Sequence, residues 1–187
     1  MKAICVYLGS SLGNDPRYAQ AAQRLGGLIA QRGLTLVYGG SNDGLMGLLA
    51  DAALGAGGYV IGVLPHSLRA NGIAHQGLSE LHLVSDMHGR KALMMKLADG
   101  FIALPGGFGT YDEFFEALTW LQLGYHQKPC GLLNIAGFYT PFLAYLDHVV
   151  AAGFVKPPHR ALILDDDDPI SLLERLQNYQ HTPISKI

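Results

Sequence analysis

Short, unbroken apolar runs alternate along the chain with longer stretches in which apolar residues return every third or fourth position. The runs are Ala3–Leu8, Leu34–Tyr38, Tyr59–Leu64, Leu81–Val84, Phe101–Leu104, Cys130–Asn134 and, more weakly, Ala161–Leu164. A run that is apolar at every position leaves no face for water, which is the pattern of parallel strands covered on both sides by helices. The stretches between the runs carry helix punctuation. Asp15-Pro16 sets a capping side chain before a proline at the first helical position, and Gly33 ends that helix after Arg32. Further helices are predicted over Gly44–Ala56, over Met87–Ala98 behind a capping Asp86, over Thr110–Leu123, over Tyr139–Ala152 and from Pro169 onward. The acidic run Asp165–Asp168 reads as a solvated turn that caps the last of them. This order of elements predicts an α/β fold, a doubly wound parallel sheet of about seven strands with helices on both faces.

At 187 residues the chain fits one domain, since single cores run to roughly 100–200 residues. A single-domain, Rossmann-like unit over residues 1–187 is therefore expected. Hydrophobic residues make up 49% and charged residues 15%, against roughly 25% charged in an ordinary soluble domain, so disorder is excluded. Thirteen Lys+Arg against 15 Asp+Glu leave a net charge of −2, without the basic excess that binding to nucleic acid or an anionic membrane surface relies on. Ala3–Leu8 is too short for the apolar region of a signal peptide, and the uncharged run Ala52–Leu68 is broken by glycines and falls short of the ~20 apolar residues of a membrane span. A cytoplasmic protein is expected. Cys5 and Cys130 lie inside apolar runs with no CxxC spacing, and the eight histidines form no HxxxH or HxxEH pair. Reduced core thiols and no metal follow.

In a doubly wound sheet, ligands bind beyond the carboxyl ends of the strands where the strand order reverses. Two glycine-rich turns open helices at that edge: Gly39-Gly40-Ser41-Asn42-Asp43-Gly44-Leu45-Met46-Gly47 and Pro105-Gly106-Gly107-Phe108-Gly109-Thr110. Bare amides and the positive end of the helix dipole make both candidate phosphate cradles. Leu45, not lysine, follows Gly44, so a nucleoside triphosphate loop is absent, and the turn after the first strand, Gly9-Ser10-Ser11-Leu12-Gly13, lacks the dinucleotide fingerprint. A monophosphate or short sugar phosphate remains. Arg90 and Lys91 sit near the start of the Met87 helix, where the dipole disfavours cations, a local cost that points to an anionic or electron-rich ligand. Glu113 has two readings. Thr110-x-x-Glu113 fits a capping box, yet a phosphate on the glycine turn would put the attached sugar within the glutamate's reach. Asp112, Glu116 and Thr119 share one helix face, either pocket wall or solvent. Met87 is a candidate contact for a planar base.

Pro105-Gly106-Gly107-Phe108-Gly109-Thr110-Tyr111-Asp112-Glu113 matches the PGGxGTxxE signature of the LOG ("lonely guy") family, and Met87-His88-Gly89-Arg90-Lys91-Ala92 matches its MHxRKA block. Gly44–Gly47 and Lys128–Asn134 also resemble family segments, in the family's order, over essentially the whole chain. The resemblance implies a cytokinin riboside 5′-monophosphate phosphoribohydrolase that cuts the N-glycosidic bond of an adenosine monophosphate, AMP included, to free base and ribose 5-phosphate. It implies Arg90 and Glu113 as the catalytic pair, with Lys91, Gly106 to Asp112 and Thr119 similar to substrate-contacting positions. No cofactor and a homodimer, in some members a hexamer, are implied with it. Gly72 stands where many relatives carry a substrate-binding glutamate, and Asp112 replaces a common glutamate. The rival expectation is a non-catalytic carrier of a nucleotide or of molybdenum cofactor; single-stranded DNA binding is disfavoured by the charge.

Overall fold

The computed structural model describes residues 1–69 and 72–182. Seven strands, β1 (Ala3–Tyr7), β2 (Thr35–Tyr38), β3 (Val60–Pro65), β4 (Glu80–Val84), β5 (Phe101–Ala103), β6 (Cys130–Leu133) and β7 (Ile163–Asp166), form one sheet in the order β4-β3-β2-β1-β5-β6-β7. Every pairing is parallel, and Cys5 of β1 sits between Val37 of β2 and Phe101 of β5. The order reverses between β1 and β5, so the crevice expected for a ligand opens at their carboxyl ends.

The helices are α1 (Pro16–Gln31), α2 (Gly44–Gly55), α3 (His66–Arg69), α4 (Met87–Leu97), α5 (Phe108–Gln122), α6 (Thr140–Ala151), α7 (Pro157–Arg160) and α8 (Pro169–Gln177), with a 3-10 turn at Ile135–Gly137. Side chains alternate across each strand, and the core divides accordingly. Ile4 and Val6 pack with Ala22, Leu25 and Ile29 of α1, Leu49 of α2 and Leu172 of α8. Cys5 and Tyr7 pack on the other face with Met94 and Met95 of α4 and with Phe114, Ala117 and Leu121 of α5. Both layers are dry, which is why the strands read as unbroken apolar runs. Truncating a residue such as Leu25, which has no exposed surface, should cost about 2–5 kcal/mol.

Several boundaries move. The last strand begins at Ile163 rather than Ala161, because Pro157–Arg160 forms a helical turn capped by Ala161. Asp165 and Asp166 then pair with Leu132 and Leu133 instead of lying in a turn, a position open to them because β7 is an edge strand with a single neighbour. Of the acidic run only Asp168 caps α8, accepting from the Ser171 amide. α5 starts at Phe108, two residues before Thr110, because Gly107 takes the N-cap position. The capping-box reading of Thr110 and Glu113 falls with that shift, since Glu113 is now well inside the helix.

Candidate functional site

A cavity of about 430 Å³ opens at the carboxyl edge of the sheet, walled by the turns after β1 and β2, the end of β3 and the start of α5. Its floor is an ion pair. Asp86 caps α4 by accepting from the Gly89 amide, and this fixes the helix so that Arg90, on its first turn, is directed inward. The Arg90 guanidinium donates through Nη1 to Glu113 Oε1 at 2.8 Å, through Nε to the Val63 carbonyl at 3.0 Å and through Nη2 to the Gly39 carbonyl at 3.3 Å. Arginine's planar fork suits three acceptors held at fixed angles, which a lysine cannot serve at once. Arg90 and Glu113 are each 8% exposed and Lys91 is 9% exposed, so neither cation is a solvated surface residue.

Gly39 is required by the same arrangement. A Cβ at Gly39 would stand 1.9 Å from Arg90 Nη2, so no side chain fits while the guanidinium keeps its seat. Burial pushes the Glu113 carboxyl above its usual range; Arg90 pulls in the opposite direction, and Asp112 and Glu116 add to the upward push. A carboxylate of raised proton affinity beside an open cavity can exchange a proton with a bound water or ligand.

The two glycine-rich turns differ in a way their sequences hide. α5 begins at Gly107 with no side chain capping it, so its first-turn amides at Phe108, Gly109 and Thr110 have no partner within the helix, and all three residues line the cavity. α2 begins behind Asp43, whose carboxylate lines the same cavity and accepts from the Ser41 hydroxyl at 3.3 Å. An anion at the mouth of α2 would meet a like charge. The two turns, alike in sequence, therefore differ in charge: the α5 turn faces the cavity with uncapped amides, the α2 turn with the Asp43 carboxylate. Gly106 lies behind that turn, where a Cβ would come 2.1 Å from Thr110 Oγ1.

Of the other residues singled out in the sequence, Gly39, Ser41, Gly107, Phe108, Gly109 and Thr110 line the cavity with Arg90 and Glu113. Gly40, Gly44, Gly106, Lys91, Tyr111, Asp112, Thr119 and Met87 do not line it. The Gly40 carbonyl accepts from the His75 amide, and Gly44 packs against the Ser10 backbone. Lys91 turns aside to bridge Asp112 at 2.9 Å and Glu116 at 3.0 Å, tying α4 to α5. Tyr111 packs on Tyr139 and Phe142, Thr119 is exposed, and Met87 is 44% exposed at the start of α4. Met46 of α2 occupies the cavity wall where Met87 was expected. Near the end of α5, Leu121 is buried in the core while Leu123, just past the helix, is exposed.

Ser10, Asp43, Leu68 and Ile73 line the cavity without having been singled out for it. Ser10 had a signal, because it follows a strand at the ligand-binding edge, but a search for fingerprints passes over it. Leu68 and Ile73 had none. They reach the cavity only because β3 is adjacent to β2, a fact of strand order.

Residues 46–176 match a family model described as a possible lysine decarboxylase. The chain is 52% identical over 164 residues to the cytokinin riboside 5′-monophosphate phosphoribohydrolase of Rhodococcoides fascians, covering 87% of this chain and 83% of that one. The chain belongs to the LOG family. Within it, the chain is 46% identical to the LOG1 enzyme of Arabidopsis thaliana, over 95% of this chain and 84% of the relative. The family fold extends further than the family's sequences. A molybdenum cofactor binding protein of Rippkaea orientalis superposes with a TM-score of 0.72 at 24% identity, covering 95% of this chain and 96% of that one. DNA processing protein A of Helicobacter pylori superposes at 0.57 with 16% identity, covering 96% of this chain and 82% of that one. At those identities the likeness is one of fold.

Proposed function

We propose that this protein hydrolyses the N-glycosidic bond of adenosine 5′-monophosphates, both AMP and N6-modified cytokinin riboside monophosphates, to free base and ribose 5-phosphate. The observation that carries the reading is the buried Arg90–Glu113 pair in the wall of a cavity that also holds the uncapped first turn of α5. The family's phosphoribohydrolases support it. A carrier would have no need of a buried ion pair beside its ligand, since burying two charges costs more than a dry apolar wall would.

The phosphate sits on the amides of Phe108, Gly109 and Thr110, and the binding energy of that non-reacting group positions the ribose over Glu113. As the C1′–N bond breaks, its electron pair leaves with the purine and positive charge builds on the sugar, as in glycoside cleavage. The Glu113 carboxylate offsets that charge and orients a water molecule. Water oxygen bonds to C1′, Glu113 takes one water proton, and the departing base takes up a proton, so that the net change is addition of one water. Arg90, held by two backbone carbonyls, fixes the rotamer of Glu113 and opposes the effect of burial on its charge. Incubating the purified protein with AMP, prenylated AMP, GMP and CMP tests the reading; free adenine or prenyladenine with ribose 5-phosphate is expected, and intact adenylates after prolonged incubation would refute it.

Two further features belong to the same reading. Met87 on α4 with Phe115 and Leu123 along α5 leave apolar surface exposed, which favours a homodimer and is tested by light scattering. Cys5 and Cys130 are free and buried, in keeping with a reducing, cytoplasmic setting. Among the described residues no helix is long and apolar enough to cross a membrane.

A further inference from the structure

The cavity wall opposite α5 is supplied by Leu68 and Ile73, from the connection between β3 and β4. That wall hangs on hydrogen bonds to the turn after β2. The Asn42 amide donates to the Ile73 carbonyl at 2.8 Å, the His75 amide donates to the Gly40 carbonyl at 3.0 Å, and Ser41 forms an isolated antiparallel bridge with Ala74. These two backbone hydrogen bonds, which together make the bridge, are weak unless something holds the segment in register.

The His75 side chain does so. Its Nδ1 accepts from the Gly77 amide at 3.0 Å, which leaves the ring proton on Nε2, directed at Asp51 Oδ1 of α2 at 3.0 Å. The ring is buried, with its side chain 7% exposed, while Asp51 is 65% exposed on the α2 surface. One side chain thus joins the wall segment to a rigid helix and closes its own turn. The ring lies outside the cavity and does not touch a ligand there.

We propose that His75, clamped between Asp51 and Gly77, is a positioning residue that sets Ile73 of the cavity wall against the base of the bound nucleotide. This rests on the phosphoribohydrolase reading of the site. The phosphate is held at the other end of the cavity by α5, so loosening the wall weakens the grip on the base and leaves the grip on ribose 5-phosphate unchanged.

The test compares Asp51→Ala, Asp51→Asn and His75→Phe with the unmodified protein, using calorimetry for AMP and ribose 5-phosphate binding and steady-state kinetics on AMP. Asp51 is exposed, so Asp51→Ala folds even if the bulkier change at His75 does not. Asp51→Ala and His75→Phe are expected to weaken AMP binding and raise KM about tenfold, with kcat within about twofold and ribose 5-phosphate binding unchanged. Asp51→Asn retains an acceptor for Nε2–H and should rescue AMP binding to within about twofold. Folded Asp51→Ala with normal AMP affinity, or an equal loss for AMP and ribose 5-phosphate, would overturn the role of His75. An unmodified protein that binds ribose 5-phosphate but neither binds nor cleaves AMP would remove the site reading itself.

Discussion

Two ion-pair clusters join the same two helices one residue apart. Arg90 of α4 meets Glu113 of α5 at 2.8 Å with side chains 10% and 9% exposed, whereas Lys91 meets Asp112 at 2.9 Å with Asp112 60% exposed. In both, a cation of α4 meets a carboxylate of α5, across 23 residues of chain in the first and 21 in the second. Water makes the difference. Lys91 is nearly as buried as Arg90, its side chain 11% exposed, but its partners reach water, Asp112 at 60% and Glu116 at 27%, so its pairs are partly screened and brace the two helices. In the cavity wall, low polarity strengthens every interaction and burial raises the proton affinity of Glu113 above that of an exposed glutamate. Adjacent residues are thereby given different surroundings, one facing the cavity and the other the brace between helices, by which way each turn of helix faces.

The largest effect expected from breaking this contrast is at Glu113. Glu113→Gln keeps the shape and can still accept from Arg90 Nη1, but it removes the charge; turnover of AMP should fall by about 10²–10⁴-fold, measured as kcat with the melting temperature recorded alongside. Retention of turnover to within tenfold would return Glu113 to a purely structural role. Next comes Gly39→Ala, whose methyl group would displace the Arg90 guanidinium from 1.9 Å away; a loss of at least about tenfold in kcat/KM, or about 1.4 kcal/mol, is expected. Lys91→Met should cost less than about 1 kcal/mol of stability by denaturant titration and less than about tenfold in turnover, because Asp112 can be solvated instead. If Lys91→Met matched Glu113→Gln in its effect on kcat, the division between brace and cavity wall would be wrong.

The smallest effect is on the pH dependence of stability. Below its ordinary value of 4.5, Glu113 is protonated whether the chain is folded or not. As pH rises from 4.5 through the higher folded value, the unfolded chain gives up its proton first, so folding loses stability across that window. Glu113→Gln has no such loss. The melting temperature of the variant relative to the unmodified protein should therefore climb between pH 4 and neutrality, and a difference that stays flat with pH would show that Arg90 offsets burial completely.

Much of this arrangement was legible in the chain. Unbroken runs such as Ala3–Leu8 and Leu34–Tyr38 announce two-sided burial, and Asp15, Asp86 and Asp168 mark helix starts that the structure retains, each accepting from an amide of the first turn. The PGGxGTxxE and MHxRKA blocks brought Arg90 and Glu113 together before any coordinates. What failed did so for local reasons. The two glycine turns looked equivalent because sequence does not reveal that Asp43 lines the cavity while the N-cap of α5 is bare. The acidic run looked like a turn because two of its carboxylates sit on an edge strand, where one side of the ladder tolerates them.

Periodicity, caps and motif spacing depend on neighbours within about one turn, and so the sequence by itself determined the order of strands and helices, the sheet edge at which the cavity opens and the family signature. The pairing of Arg90 with two distant carbonyls, the turning aside of Lys91 and the seating of His75 between Asp51 and Gly77 depend on strand order and on which groups water can reach. Those are properties of the packed molecule, because burial sets both the strength of a charge pair and the proton affinity of a carboxyl group, and burial has no value until the chain has folded.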